Sequence, residues 1–404
     1  MKKNKKKKWL KFRHRVVRNI LNVTLGTFCR IKYSYSFEKF KEQEKRPYLI
    51  LFNHQTSFDQ FFVGMAFKRP IYYLASEDIF SNGFVSSIIR FLVEPIPIKK
   101  QTTDIKAILN CMRVSREGGT IALAPEGNRT YSGKTEYINP SIVPLARKLG
   151  VPVVLFCIEG GYGVEPRWAG KKRKGKMRGY VSRVIHPEEY ASMTDEQLCS
   201  AICDGLYVNE ANADTSYKSR RPAEYLERAI YICDDCGLST FKSHADIIEC
   251  QKCHKKIRYA ANKQLVGADA PLRFNFVADW YDYQKDFINS LDVTSLVNEP
   301  LYRERTSMSE VIPCKKKIKM AKAADVLLYG NKITVLSGDK QTDFTFDTVN
   351  AVTVLGRNKL NIYHDGHIYQ LKSDHRFNAL KYVHIFHRYK NIIKGDSGNA
   401  FLGL

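Results

Sequence analysis

Acidic residues are scarce in this chain of 404 residues, which has 41 Asp and Glu against 65 Lys and Arg. The formal net charge at pH 7 is therefore +24. Such an excess of positive charge usually marks a partner with negative charge, either nucleic acid, an anionic membrane surface or a phosphorylated substrate. The apolar fraction of 44% is ordinary for a globular protein, and the length allows about two or three domains with cores of their own.

The N-terminal segment lacks the features of a signal peptide and of a membrane span. Lys2–Arg18 holds ten Lys or Arg and no acid, and polar residues interrupt the apolar stretch Val16–Phe28 that follows. No small-residue cleavage site is present, and the stretch is too short and polar to cross a bilayer. On a helix, one face would carry Trp9, Phe12, Val16, Ile20, Val23 and Thr27. We therefore predict that residues 1–45 form a basic amphipathic segment in a membrane interface, the alternative being a solvated basic tail.

Ten cysteines are present without a secretory signal, which points to a reducing compartment and to metal binding rather than disulfides. Two CxxC units are separated by thirteen residues; they are Cys233/Cys236 and Cys250/Cys253. Four thiolates on two knuckles form the closed tetrahedral site that is usual for structural zinc. We expect a zinc ribbon with a structural Zn²⁺ over residues 226–262, in which the flanks Tyr231-Ile232 and Ile257–Tyr259 pair as strands.

Short apolar runs alternate with helical stretches between residue 46 and about residue 190. The strand candidates are Pro47–Phe52, Ile71–Ala75, Gly119–Ala124, Val151–Ile158 and Tyr180–His186, with the proline-interrupted Glu94–Ile98 as an edge segment. This alternation predicts an α/β fold in which helices pack on a largely parallel sheet. We assign residues 46–225 to this domain.

The C-terminal part has the texture of an all-β domain. Short alternating runs are separated by turn signals such as Asp365-Gly366, and a helical period follows at Asn378–Tyr389. Strands followed by one C-terminal helix resemble a pleckstrin-homology-like or GRAM-like domain in element order. We assign residues 319–394 to this β-rich domain and residues 263–318 to a linker with a helical segment at Phe274–Leu291.

The chain contains no GxSxG elbow, and no Ser or Cys has a marked base beside it. A different pair, His54 and Asp59, follows the apolar run Tyr48–Phe52. An Asp that accepts the Nδ1–H of a neutral His fixes the tautomer and leaves Nε2 free as a base. On a straight helix, residues five apart diverge by about 140°. The pair can meet if His54 lies in the turn before a helix and Asp59 lies in its first turns.

A second polar loop follows the strand candidate Gly119–Ala124. Its sequence is PEGNR, with Glu126, Gly127 and Arg129 as its notable members. Gly127 permits tight backbone geometry, and the planar fork of Arg129 suits a phosphate. Taken alone, Arg129 would be a solvated loop cation.

These segments resemble a known family when they are taken together. Asn53-His54-(four residues)-Asp59, Ile96–Lys100, Pro125–Arg129 and Val151–Val154 are similar, in order and spacing, to the four motifs of the glycerolipid acyltransferases. The group with the greatest similarity is the 1-acylglycerol-3-phosphate (lysophosphatidate) acyltransferases. The resemblance covers roughly residues 46–190, under half of the chain.

The resemblance implies roles for individual residues. His54 would be the general base on the acceptor hydroxyl, and Asp59 would orient it. The acceptor would be held by Lys100, Glu126, Gly127 and Arg129, with Arg129 on its phosphate. Lys100 stands where the family usually carries an arginine, and lysine keeps the charge but loses the bidentate fork.

The expected reaction is direct transfer of a fatty acyl group from acyl-CoA or acyl-carrier protein to the free hydroxyl of a lysophospholipid, with 1-acylglycerol-3-phosphate as the acceptor. The resemblance implies no catalytic cofactor. We expect a peripheral or monotopic protein on the cytoplasmic face of an anionic membrane. Nucleic acid is not an expected partner, because the ribbon Cys233–Cys253 is near neutral. The alternative is an inactive acyltransferase-like domain in a membrane-docked lipid-binding protein or a zinc-ribbon protein that binds nucleic acid.

Overall fold

The structure, a computed structural model, describes residues 8–41, 47–76, 84–98, 104–269, 271–312 and 316–395. Lys100 and the lysines before residue 8 lie outside the described residues. None of the helices in the described ranges is long and apolar enough to cross a membrane.

A seven-stranded sheet organises the first part of the chain. Its strands are β1 (Tyr35–Phe37), β2 (Leu49–Phe52), β3 (Ile71–Ser76), β4 (Ile96–Ile98), β5 (Thr120–Leu123), β6 (Val153–Glu159) and β7 (Met177–Ile185). They lie in the order β1-β7-β6-β2-β5-β3-β4. Every neighbouring pair is parallel except β6 and β7. The predicted α/β fold with a largely parallel sheet is confirmed.

Eight helices of the described chain accompany this sheet. They are α1 (Phe12–Tyr33), α2 (Asp59–Ala66), α3 (Phe84–Leu92), α4 (Ile105–Arg116), α5 (Ile142–Leu149), α6 (Gly161–Val164), α7 (Pro187–Ala191) and α8 (Asp195–Leu206). Local sequence signals set several of their ends. Gly150 closes α5 in the left-handed conformation at φ +61°, and Thr194 with Gln197 forms a capping box on α8.

Both faces of the central strand β2 are buried. Leu49 and Leu51 of β2 belong to the apolar cluster on one face, and Ile50 and Phe52 belong to the cluster on the other. Side chains alternate across a strand, so a strand covered on both faces must be apolar throughout. This requirement explains the uninterrupted run LILF of β2, whose polar continuation begins only where the strand ends.

The cysteine-containing region consists of short antiparallel strands. They are β8 (Ile232–Cys233), β9 (Gly237–Leu238), β10 (Phe241–His244), β11 (Ile247–Cys250), β12 (Lys256–Tyr259) and β13 (Leu265–Gly267). The predicted pairing between the two flanks is wrong. β8 pairs with β9 across the first knuckle, whereas β12 lies between β11 and β13. Both edges of β12 are therefore occupied by strands close to it in sequence, and no edge remains for β8.

The C-terminal part is a second seven-stranded sheet with two helices. Its strands are β14 (Tyr302–Ile312), β15 (Lys316–Leu328), β16 (Lys332–Ser337), β17 (Lys340–Thr345), β18 (Ala351–Leu355), β19 (Lys359–His364) and β20 (His367–Lys372), and the helices are α9 (Val277–Ser290) and α10 (Leu380–Ile393). The order is β17-β16-β15-β14-β20-β19-β18, antiparallel throughout. The β-rich character is confirmed, although the sheet begins at Tyr302, inside the segment predicted as a linker.

The ribbon, α9 and the C-terminal sheet share one apolar cluster, which also includes Tyr131, Tyr162 and Trp168 of the first domain. Arg167 makes a polar connection across the same boundary. Its buried guanidinium donates to the carbonyl oxygens of Arg129 (2.9 Å), Val354 (3.2 Å) and Gly356 (3.1 Å). The three predicted units are therefore packed as one body.

Candidate active site

The two polar loops of the sequence meet at one edge of the first sheet. His54 follows β2 and Glu126 follows β5, and these strands are parallel neighbours. Because parallel strands end at the same edge, the residues that follow them lie side by side, where ligands of open α/β sheets commonly bind. The structure brings together five of the six predicted catalytic and substrate-binding residues: His54, Asp59, Glu126, Gly127 and Arg129.

His54 and Asp59 form a hydrogen-bonded pair. The Nδ1 atom of His54 lies 2.8 Å from Oδ2 of Asp59. Asp59 is the first residue of α2, and His54 lies in the turn before it, which is the geometry expected from the five-residue spacing. An ionised carboxylate can only accept, so Nδ1 carries the proton and Nε2 is left as the free base.

Asp59 is fully buried and held by further donors. Its carboxylate accepts from the backbone N–H of Gln55 (2.7 Å) and of Thr56 (2.9 Å), and from the Thr56 hydroxyl (2.6 Å). The turn between His54 and α2 is thereby wrapped around the carboxylate. This arrangement holds the imidazole in one orientation, because the group to which it is bonded cannot rotate without losing several partners.

Glu126 supports the backbone of this loop. Its Oε1 accepts from the N–H of His54 (2.6 Å), and its Oε2 accepts from the N–H of Glu136 (2.8 Å). Burial raises the pKa of Glu126 to about 8, and the two amide donors offset that rise only in part. Because its two oxygens accept from the backbone N–H groups of His54 and Glu136, Glu126 positions the His54 loop; its predicted contact with the acceptor stays a prediction.

Gly127 and Arg129 shape the next part of the loop. Gly127 has φ +69°, and its N–H closes a turn onto the carbonyl of Ala124. Arg129 donates from Nε to the Gln55 carbonyl (3.1 Å) and from Nη2 to the Glu165 carbonyl (2.6 Å). Burial lowers the pKa of Arg129, and Glu165 offsets this only in part, so a further anion would stabilise the guanidinium.

Glu165 is a residue of the site that no sequence motif marked. Its buried carboxylate accepts from the hydroxyls of Tyr33 (2.8 Å) and Ser57 (2.7 Å), and Oε1 lies 3.5 Å from Nη1 of Arg129. Burial alone would raise the pKa of Glu165, but Arg129 and the hydroxyl donors outweigh it and lower the pKa. The ionised group therefore ties α1, the His54 loop and the PEGNR loop together.

A cavity of ≈ 1270 Å³ opens beside the pair. Its polar lining includes His54, Ser57, Arg129, Glu165, Arg167 and Arg357, and its apolar lining includes Leu21, Leu25, Ile89, Leu92, Ile108 and Leu145. The two parts of the lining suit a ligand with a charged group and a hydrocarbon chain. Arg167 and Arg357 were not marked by the sequence, because each is recognisable only once the two domains are packed.

The four predicted cysteines lie together away from this cavity. The Sγ atoms of Cys233, Cys236, Cys250 and Cys253 all lie within 4.8 Å of one another, and those of Cys233 and Cys253 are 3.7 Å apart. Four sulfurs around one zinc at about 2.3 Å would be about 3.8 Å apart in a tetrahedron. The spacing and the donor set fit a metal of this kind.

Comparison with known proteins agrees with the geometry of the first domain. Residues 34–159 match the model of the Acyltransferase family. The chain is 21% identical over 138 residues to a 1-acyl-sn-glycerol-3-phosphate acyltransferase of Bacillus subtilis (strain 168), covering 34% of this chain and 65% of that protein. It is 25% identical over 161 residues to a 1-acyl-sn-glycerol-3-phosphate acyltransferase of Chlamydomonas reinhardtii, covering 39% of this chain and 46% of that protein. The chain thus spans less than two thirds of the length of each of these relatives.

Two solved structures overlap parts of the chain. The PlsC lysophosphatidate acyltransferase of Thermotoga maritima covers 48% of this chain and 78% of its own, with 21% identity and a TM-score of 0.41. The N-terminal PH domain of human ARAP2 covers 22% of this chain and 81% of its own, with 13% identity and a TM-score of 0.19. Neither overlap is close enough to carry an argument, and the pleckstrin-homology-like assignment stays a resemblance of element order.

Residues 34–159, which contain the His54–Asp59 pair and the PEGNR loop, are thus similar to the Acyltransferase family, and we refer to the first domain as acyltransferase-type. Within that class, the predicted similarity to the 1-acylglycerol-3-phosphate acyltransferases is confirmed by the curated relatives.

Replacing Asp59 with Asn is expected to change the tautomer of His54. The amide of Asn has one acceptor oxygen and places N–H₂ among donors, so the ring would shift its proton to Nε2. Ring ¹⁵N chemical shifts of the histidine-labelled full chain report this change, with the His54 signal identified by its absence from His54→Ala. His254, whose Nδ1 lies 3.0 Å from Glu249, is the internal reference. An Nδ1–H pattern that persists in Asp59→Asn would contradict the assignment.

Proposed function

We propose that this chain is a 1-acylglycerol-3-phosphate acyltransferase that works at the surface of a membrane. The observation that carries the proposal is the His54–Asp59 hydrogen bond of 2.8 Å beside a cavity with cationic and apolar walls. A fatty acyl group would pass from an acyl thioester, either acyl-CoA or acyl-carrier protein, to the free hydroxyl of the acceptor.

His54 supplies the base for this reaction. The acceptor hydroxyl donates to Nε2, and its oxygen attacks the thioester carbonyl carbon while the proton passes to the ring. Asp59 stabilises the imidazolium that forms. When the tetrahedral intermediate collapses, the carbon–sulfur bond breaks and the thiolate takes the proton from Nε2. General-base help of this kind contributes about 10²–10⁴ in rate.

Ser57 is unsuited to form an acyl-enzyme with His54. Its hydroxyl donates to Oε1 of Glu165 at 2.7 Å, so its proton is directed away from the imidazole. A nucleophilic serine needs the opposite arrangement, with the base accepting its proton. The geometry therefore favours direct transfer in a ternary complex of enzyme, acceptor and thioester.

Arg129 is our candidate for contact with the acceptor phosphate. Its Nε and Nη2 are bonded to backbone carbonyls, so the guanidinium is held rigidly and Nη1 faces the carboxylate of Glu165. A preorganised cation binds an anion without a further loss of side-chain freedom. Lys100, the other predicted phosphate contact, lies outside the described residues and stays a prediction.

The surface of α1 and α3 supports membrane attachment, which we propose to be at the cytoplasmic face. Phe12 on α1 is 81% exposed and Phe84 on α3 is 80% exposed, and the guanidinium of Arg13 on α1 lies 4.4 Å from the ring of Phe91 on α3. Clustered exposed aromatic side chains on neighbouring helices are typical of membrane or partner contact. Other side chains of the same helices, including Leu21, Leu25 and Leu92, line the cavity, so a lipid could enter it from the bilayer.

The four clustered cysteines support a structural zinc site. Zinc would join the knuckle that carries Cys233 and Cys236 to the one that carries Cys250 and Cys253. Cys233 and Cys250 belong to the apolar cluster shared with the C-terminal sheet. The metal would therefore stabilise the ribbon at the point where it contacts its neighbours.

His54→Ala is expected to lower the turnover of purified full-length protein by about 100-fold or more, because general-base help would be lost. The assay measures acyl transfer from acyl-CoA to lysophosphatidate. His367→Ala is the control, since His367 is exposed on β20 and should retain wild-type turnover. Retention of about a tenth or more of the activity by His54→Ala would make the base assignment wrong.

Elemental analysis of the full chain is expected to find one zinc per molecule. Cys253→Ser should remove it and lower the temperature of unfolding, because metal binding contributes to folding. Cys199→Ser is the matched control, as Cys199 lies on α8 outside the cluster and should leave the metal in place. No zinc above background in the unmodified protein, or loss of zinc from both variants, would refute the site.

Replacing Phe12 and Phe84 together with Glu is expected to weaken binding to anionic phosphatidylglycerol vesicles about tenfold or more, since each buried aromatic side chain contributes about 1.5–3 kcal/mol. Vesicle co-flotation measures the effect. Val266→Glu, at an exposed position on the ribbon, is the control. Equal vesicle binding by the unmodified protein, the double variant and Val266→Glu would show that this surface is not the membrane contact.

A further inference from the structure

The turn between β18 and β19 extends from the C-terminal sheet to the cavity of the acyltransferase-type domain. Val354, Gly356 and Arg357 all line the cavity that also contains His54. This contribution comes from a part of the chain far outside residues 34–159, which match the Acyltransferase family. The cavity is therefore completed by a domain that the family match does not include.

Several contacts hold this turn in place. Arg167 donates to the carbonyls of Val354 and Gly356, and its third hydrogen bond goes to the carbonyl of Arg129 in the PEGNR loop. Gly356 has φ +66°, which lets the chain reverse at this point. Asn358 donates to the Asp374 carbonyl at 2.8 Å. The position of Arg357 is thus set from both of its chain neighbours and from the domain opposite.

The guanidinium of Arg357 is held by one hydrogen bond, and some of its N–H donors have no acceptor among the described residues. Nη1 donates to the carbonyl of Gly170 at 3.1 Å, and Nη2 lies 3.6 Å from Oε1 of Glu165, beyond hydrogen-bond distance. Among the described residues, Nε has no hydrogen-bond acceptor. The side chain is 34% exposed and belongs to the lining of the cavity. These donors are available to a ligand.

The charges around Arg357 leave a surplus of positive charge. Arg129, Lys172 and Arg357 all lie within 4 Å of the Glu165 carboxylate, which also accepts from two hydroxyls. The carboxylate of Asp59 also interacts with Arg129, but Arg167 is a further cation beside it, so the positive groups still outnumber these two carboxylates. The other nearby lining acid, Glu126, has both oxygens on backbone amides and a pKa raised to about 8 by burial. An anionic ligand would be attracted to this end of the cavity.

We propose that Arg357 is a specificity-determining residue that binds the phosphate of a single-chain lipid acceptor. A guanidinium offers two parallel N–H donors to phosphate, which matches the unused Nε and Nη2. Arg129 borders the same space from the opposite domain, so the phosphate would be held between the two domains. The proposal rests on the proposed function in that it concerns the acceptor of the same site.

The decisive experiment measures binding to full-length protein without an acyl donor, so that it does not depend on turnover. The two probes are lysophosphatidate and a monoacylglycerol with the same chain, which differ only in the phosphate. Arg357→Ala and Arg357→Gln are compared with Arg303→Ala. Arg303 is an exposed arginine of β14, so its replacement makes the same change of charge in the same domain. Thermal unfolding verifies that each variant is folded, and Arg357→Gln decides the result if Arg357→Ala is unstable.

The expected result is a loss of about tenfold or more in lysophosphatidate affinity for both Arg357 variants, with monoacylglycerol affinity unchanged and Arg303→Ala like the unmodified protein. In an acyl-transfer assay, the acceptor KM should rise by a similar factor while the KM for the acyl thioester stays constant. Equal losses for the two lipids, or no greater loss than in Arg303→Ala, would overturn the proposal. If phosphate-dependent binding is lost but the unmodified protein transfers no acyl group, Arg357 binds as proposed and the proposed reaction fails.

Discussion

The buried carboxylate of Glu165 is the interaction on which the site depends. A carboxylate without water must be surrounded by donors and cations, since an unpaired buried charge is strongly destabilising. Tyr33 from α1, Ser57 from the His54 loop and Arg129 from the PEGNR loop meet this requirement. Segments distant in sequence are thus held at one point, and the cavity wall forms around it.

The chemistry of the site follows from a division of labour among acids. Asp59 receives the Nδ1–H of His54 and sets its tautomer, whereas Glu126 receives the backbone N–H of the same residue and sets its position. Glu165 is hydrogen-bonded to neither the ring nor the backbone of His54 and instead lies within 4 Å of three cationic side chains. Three neighbouring carboxylates therefore have three separate roles, and the groups that donate hydrogen bonds to each carboxylate show which role it has.

The sequence predicted those features that depend on neighbours along the chain. The buried run of β2 and the His54–Asp59 spacing both carry a local signal. Glu165 does not, because its partner Tyr33 is 132 positions away. Strand β14 was missed because polar residues alternate along it, and these residues lie on the face of the strand that is turned to solvent. The wrong pairing of the ribbon flanks has a similar cause. Several strands compete to pair with each strand edge, and the sequence of one segment does not show which strand succeeds.

Arg167 and the shared apolar cluster have a consequence for how such a chain can evolve. Trp168 and Tyr131 are buried by residues of the ribbon and the C-terminal sheet, so a chain without them would expose large aromatic surfaces. The three units cannot be shuffled among other genes as self-contained modules without compensating substitutions at this boundary. Inheritance of the first domain is therefore coupled to inheritance of the appended half, because replacing Arg167 would leave the carbonyls of Val354 and Gly356 without their donor.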